Sequence, residues 1–296
     1  MKVKEFQLEI VLQRICFLMN SLTVEKGFDN GNICYNDYLN ITIKDDLMYN
    51  LDLVDNPSII NIDISNSSKV VLYFTCDFKE EVKFNIELKN HSQLELVYFS
   101  KKSVRSIFNN KIGENSILDL FVIDLCTNSK NEVYTDLIKE HATFNLKTAS
   151  VCVKSSKSEF VIKTNHLNKV TNSSSISRSV VLDNSCYLNN TVGYIEKGCT
   201  HSKCHQDTKS IILGENAISE CNPVLLIDEF DVEASHSAAV GKINEDDLYY
   251  LQSRGLGYNE CIALLIRGFL VGIINDIFEE EFKDLLIKEL YNSMEV

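Results

Sequence analysis

Two places in this sequence hold side chains suited to metal or sulfur chemistry. The first is Cys199-Thr-His-Ser-Lys-Cys-His205, two thiols and two imidazoles within one short run. Thiolates and imidazoles at that density suit zinc or an iron–sulfur intermediate. The C-x-H-x2-C-H spacing matches no standard zinc finger, however, and no second ligand pair follows at finger distance, so ordinary sheet residues are the simpler reading. The second place is His236, a lone imidazole among Ala234, Ser235, Ser237 and Ala238. A neutral imidazole is a borderline ligand well suited to iron, but on the residues alone a structural histidine bonded to backbone is preferred. Cys186 and Cys221 have no spacing argument of their own, and Cys16 and Cys261 fall on predicted helix faces as core residues. No acidic pair stands out for glycoside chemistry. No Gly-x-x-x-x-Gly-Lys-Ser/Thr loop is present, so any ATP hydrolysis must come from a partner.

The compartment decides how the ten cysteines are read. Met1-Lys2-Val3-Lys4-Glu5 runs into a stretch broken by Glu9 and Arg14, without an apolar leader core. Reduced thiols in a cytoplasmic protein are therefore expected. A net charge of −13 over 296 residues argues against nucleic acid as a partner, because phosphate binding needs a cationic face. The longest apolar stretch, Cys261 to Phe278, contains Arg267, Asn275 and Asp276, which argues against a membrane span.

The elements that must position these residues change character along the chain. Residues 1–22 have helical spacing of Val3, Phe6, Ile10, Ile15 and Leu18. From about residue 38 to 235 the texture is short β-favouring runs between polar turns, such as Lys69–Thr75, Leu94–Phe99, Ile117–Ile123 and Ser179–Leu182. A weak repeat marks the turns at His91, Asn115, His141, Asn184 and Asn216, with separations of 24, 26, 43 and 32 residues. That irregular period gives a stacked β-helix a slight edge over an antiparallel sandwich. Asn244-Glu-Asp-Asp247 is a helix start with a capping Asn and an acidic first turn, and Arg254-Gly255 is its stop. Two further helices are expected, one from near Asn259 and one around Phe282–Leu290. The division read from this is an N-terminal helical segment (1–28), a β core (29–243) and a C-terminal helical region (244–296).

The stretch from Ala234 to Leu256, ASHSAAVGKINEDDLYYLQSRGL, resembles the signature of the SufB/SufD family, scaffold proteins of SUF iron–sulfur cluster assembly. Asn259–Phe269 is similar to the family's next helix. His166-Leu167, Arg178–Asp183, Gly193, His205-Gln206 and Ile211–Leu213 follow the family's order upstream. The resemblance covers roughly residues 160–275.

The resemblance implies a right-handed parallel β-helix with a short N-terminal helix and a C-terminal helical region. It implies a non-enzymatic scaffold that pairs through the end of its β-helix, with a SufB-type chain or a second copy of itself. It also implies a SufC-type ABC ATPase docked on the tail, where Glu245, Asp246, Arg254 and Arg267 are candidates, and possible sulfur supply by a cysteine desulfurase. By alignment, a Cys of the SufB type falls at Thr208 and a Glu at Ser237, so the chain looks closer to the SufD type or to a compact, ancestral-like scaffold. His236, with Cys204 and His205 as secondary candidates, is then the expected ligand of iron or of a transient iron–sulfur cluster. Two other readings stand beside this one: an interaction-only subunit without cluster ligands, and a β-helix enzyme acting on polysaccharide.

Overall fold

A computed structural model describes residues 22–26, 38–43, 47–53, 58–65, 69–76, 81–101, 104–125, 128–278 and 280–294. After the first strand, its strands alternate between two sheets. Sheet A contains β1 (Leu22–Lys26), β2 (Tyr38–Ile43), β4 (Ile59–Ile64), β6 (Glu81–Leu88), β8 (Val104–Ile112), β10 (Asn128–Leu137), β12 (Lys157–His166), β14 (Cys186–Ile195) and β16 (Ile218–Ile227), in that order. Sheet B contains β3 (Leu47–Leu53), β5 (Lys69–Cys76), β7 (Gln93–Ser100), β9 (Ile117–Asp124), β11 (Thr143–Cys152), β13 (Asn172–Val181), β15 (Lys203–Ile212) and β17 (Glu233–Gly241). Every described pairing is parallel except that of β1 with β2. This is the parallel β-helix expected from the sequence. The helix read over residues 1–22 lies outside the described residues save for Leu22, which begins strand β1 rather than ending a helix.

The coils lengthen along the chain. Register advances 21 residues from Tyr38 to Ile59 and 32 residues from Cys186 to Ile218. Corners, not strands, carry the repeat. The left-handed backbone conformation recurs at His91, Asn115, His141, Val170 and His201, one before each of β7, β9, β11, β13 and β15. A second series, Lys154 and Asp183, precedes β12 and β14. The expected marks Asn184 and Asn216 belong to that other set of corners, which is why one apparent interval reached 43 residues. Val170 was not legible as a corner, because a β-branched side chain disfavours positive φ.

The two sheets differ on their outer faces. Sheet A faces water, and β6 shows strict alternation of buried and open positions. In sheet B, β9 and β11 become continuously buried toward their C-terminal ends. The cause is a helical layer: α1 (Glu245–Ser253), α2 (Tyr258–Ile274) and α3 (Glu280–Met294). Ile266, Leu270 and Ile274 of α2 and Phe282 and Leu286 of α3 share one apolar cluster with Tyr73, Phe99, Phe121 and Val151 on the outside of sheet B. Phe282 stacks on Tyr73 with ring centroids 4.5 Å apart, and Lys147 reaches Asp276 at 2.5 Å. The Asn244 side chain accepts the Asp246 N–H at 3.0 Å, and Gly255 takes φ +94°, the cap and stop that the sequence predicted.

Candidate functional site

Inside the β-helix the filling changes from apolar to polar along the axis. The earlier coils are packed with Phe74, Phe84, Tyr98 and Phe108, whose rings lie 4.7 to 5.6 Å apart. Later coils point Ser173, Ser175, Ser177 and Ser179 of β13 inward, all buried. Deeper still, the buried carboxylate of Asp124 accepts hydrogen bonds from Ser129 (2.5 Å), Ser158 (2.6 Å) and Asn131 (3.1 Å). His166 is fully buried with Nδ1 2.8 Å from Thr171 Oγ1 and Nε2 2.8 Å from Ser173 Oγ. Burial pushes its pKa down to about 4, so it is neutral at physiological pH.

The polar interior opens at the β16–β17 end. All nine residues of β17 are exposed, because no further coil covers them. The ladder fixes which way each residue points: Cys204 pairs with Ala234, Gln206 with His236, Thr208 with Ala238 and Ser210 with Val240. Cys204, Gln206 and Thr208 are buried inward, so Ala234, His236 and Ala238 lie on the inner face at the mouth. Gln206 is 4% exposed and, among the described residues, its Oε1 has no hydrogen-bond partner. Cys221 of β16 is the half-buried thiol of the same mouth.

The two free edges at this end are unlike. The N–H groups of Ile218 and Asp228 donate to the β14 side, to Ser185 and Ile195, so the even-numbered residues of β16 bond inward across the sheet. Odd-numbered Pro223 therefore faces the free edge, where its missing N–H interrupts any strand addition. In β17 the Glu233 N–H donates to Ser202, which leaves the N–H and C=O groups of Ala234, His236, Ala238 and Val240 on the free edge. That edge carries mostly small side chains and no proline. It is a template for another strand.

The structure separates the expected ligand candidates. Cys204 and His205 are neighbours in β15 and point to opposite faces. Cys204 is buried and its thiol is pushed up by burial, whereas His205 lies outside with Nδ1 2.7 Å from Ser235 Oγ. Cys204 and His236 share the inner face, on neighbouring strands and one inward position apart. Among the described residues no group of three or more His, Cys, Asp or Glu is placed to hold a metal ion. In the helical region Glu245, Asp246 and Arg267 are exposed, and Arg254 lies 5.1 Å over the Tyr250 ring. Tyr249, Tyr250 and Tyr258 of the same helical region are exposed. Composition alone did not disclose the polar interior, because Ser173-Ser-Ser175 reads as a turn until the strand places every second serine inside.

The fold is a parallel β-helix with a helical layer on one sheet and an open, polar-lined terminal coil. The family profile described as "SUF system FeS cluster assembly, SufBD core domain" matches residues 58–269, and the chain belongs to the SufBD family. It is 32% identical over 157 residues to the iron–sulfur cluster assembly protein SufD of Bacillus subtilis, covering 53% of this chain and 36% of that protein. It is 36% identical over 115 residues to an iron–sulfur cluster assembly SufBD family protein of Pyrococcus horikoshii, covering 37% of this chain and 25% of that one. A SufBD family protein of Archaeoglobus fulgidus is 38% identical over 78 residues, 26% of this chain and 21% of its own. The aligned stretches thus span about a third or less of these relatives' length. Membership supports a role in iron–sulfur cluster assembly. No helix among the described residues is long and apolar enough to cross a membrane.

Proposed function

We propose that this chain is a non-enzymatic scaffold subunit of a SUF-type assembly complex, pairing through its open end and docking a SufC-type ABC ATPase on its helical region. The observation that carries this reading is the free β17 edge, with His236 on its inner face inside the stretch that resembles the family signature. Since no described group of this chain makes a metal site by itself, an iron or cluster site at His236 is completed by a partner chain. Such a cluster is transient cargo, and its sulfur comes from a cysteine desulfurase. The resting thiols fit a reducing, cytoplasmic setting: Cys152, Cys186, Cys199, Cys204, Cys221 and Cys261 are all free.

The ATPase site is read on α1 and the exposed side of α2, because the other side of the layer is already occupied by sheet B. Deleting residues 244–296 is therefore a poor test, as it strips cover from Tyr73, Phe99 and Phe121. Tyr249→Asp with Tyr250→Asp changes only exposed positions. In co-expression with a SufC-type ATPase, the wild-type chain retains it on purification and the double variant loses at least tenfold of the bound ATPase. Full retention by a double variant of unchanged melting temperature contradicts the docking site.

A further inference from the structure

We infer that the open end selects a non-identical partner by charge: its occupant is a second β-helix chain whose exit helix is basic where this one is acidic. This rests on the end-pairing reading above and deepens it. Two copies related by a two-fold axis can join identical edges only antiparallel. With β17 fully overlapped, Ala234 faces Val240 and His236 faces Ala238 of the second copy, which keeps inward residues on one face. The same register sets the corner before β17 in one copy beside the segment after β17 in the other.

Both of those segments are acidic. The corner carries Asp228, Glu229 and Asp231, followed by Glu233, while the exit carries Lys242 and then Glu245, Asp246 and Asp247. Neither can move its charge away. The Tyr194 hydroxyl donates to Asp228 at 3.1 Å, and Glu229 accepts the N–H groups of Gly198 (2.9 Å) and Phe230 (2.8 Å). Those backbone donors hold the Glu229 carboxyl below the usual range, so it stays charged. His201 Nδ1 lies 3.1 Å from the Asp231 carboxylate, and the His201 N–H donates to the Asp231 carbonyl at 2.6 Å. On the exit side the Asn244 cap fixes the acidic first turn of α1. Of the nearby cations, Lys203 is already paired with Glu233 at 2.9 Å.

Within about 10 Å such clusters are incompletely screened at 0.1 M salt. Two-fold symmetry applies the repulsion twice, a device against the wrong partner. A partner with lysine or arginine at the start of its exit helix turns the same clusters into attraction. Phe230, held at the tip of the fixed corner and 100% exposed, then packs against the aliphatic stems of those basic side chains.

The test is sedimentation equilibrium of the full-length chain in 50 and 500 mM NaCl. The wild-type chain is expected to be monomeric in the low salt, with a self-association constant at least tenfold stronger in the high salt. Glu245→Lys, Asp246→Lys and Asp247→Lys together are expected to produce a dimer in 50 mM salt, at least tenfold tighter than wild type. A wild-type dimer that is tight at 50 mM and indifferent to salt overturns the inference, as does a triple variant that stays monomeric there. Adding Ala238→Pro to the triple variant separates the two readings, because it blocks the β17 edge. Loss of the dimer, with the melting temperature kept, places pairing on that edge. A dimer that survives Ala238→Pro overturns end pairing itself, and the charge inference with it.

Discussion

Gly193 and Cys204 interlock across the interior one coil below the open end: a Cβ at position 193 would come 2.5 Å from the Cys204 sulfur. The same atom would meet Gln206 Nε2 at 3.0 Å and Leu225 Cδ2 at 3.1 Å. Glycine is needed here for space, not for its backbone freedom. The site explains why a buried thiol fits in this coil at all.

Gly193→Ala is expected to destabilise the fold by about 1–3 kcal/mol through overpacking. Cys204→Ala in the same chain removes the nearest obstacle, so the double variant recovers at least about 0.5 kcal/mol relative to additivity. Urea unfolding of the four chains of this cycle measures it. An additive cycle shows that the contact does not govern the packing.

His166 supplies a pH dependence with a defined sign. Its folded pKa, about 4, lies below the ordinary value of 6.5, so the unfolded chain binds the proton more readily. Stability from this group is complete above pH 6.5 and falls as the pH drops toward 4. The loss is on the order of 3 kcal/mol at the bottom of that window. In His166→Asn the slope of unfolding free energy between pH 6.5 and 4 flattens, whatever the variant's stability at pH 7. An unchanged slope assigns the titration elsewhere.

Val170 adopts φ +56° at a corner where its counterparts are His91, Asn115, His141 and His201. Its N–H still donates to the Thr200 carbonyl at 2.9 Å, so the corner is kept against the preference of the side chain. Val170→Asn is expected to raise stability by about 1 kcal/mol, since Asn tolerates this conformation far better. A fall in melting temperature contradicts the assignment of strain.

The interior thiols are graded by depth. Burial and the nearby Asp124 push the Cys152 thiol up to about 12, whereas Cys221 lies half-buried at the mouth. Alkylation by iodoacetamide at pH 8, followed by mass spectrometry, is expected to modify Cys221 well before Cys152. Equal rates would mean that the interior is open along its length.

The helical tail was legible nearly to the residue, because a capping Asn, an acidic first turn and Arg254-Gly255 are local signals that tertiary packing did not override. The β-helix was legible as texture, and the resemblance from Ala234 to Leu256 turned a slight preference into an expectation. What sequence could not resolve was the face on which each candidate lies. Cys204 and His205 adjoin in the chain yet stand on opposite sides of a sheet, because strand residues alternate. Pro223 likewise looks like a strand breaker until the ladder shows its nitrogen on a free edge. The burial of Ser173, Ser175, Ser177 and Ser179 ran against the usual inward preference for apolar residues. Inside the coils Ser173, Ser177 and Ser179 meet His166, Asn189 and Ser210, while Ser175 Oγ has no hydrogen-bond partner among the described residues.

The decisive measurement is iron and acid-labile sulfide per complex after anaerobic reconstitution, made on wild type and His236→Ala purified with their co-expressed SUF partners, with the melting temperature taken on the same samples. A ligand at an exposed, partner-completed site predicts that iron and sulfide fall at least severalfold while the melting temperature and the bound ATPase stay near wild type. Unchanged iron and sulfide in a variant that still assembles would contradict the claim that this histidine, on the open end of the β-helix, serves cluster assembly.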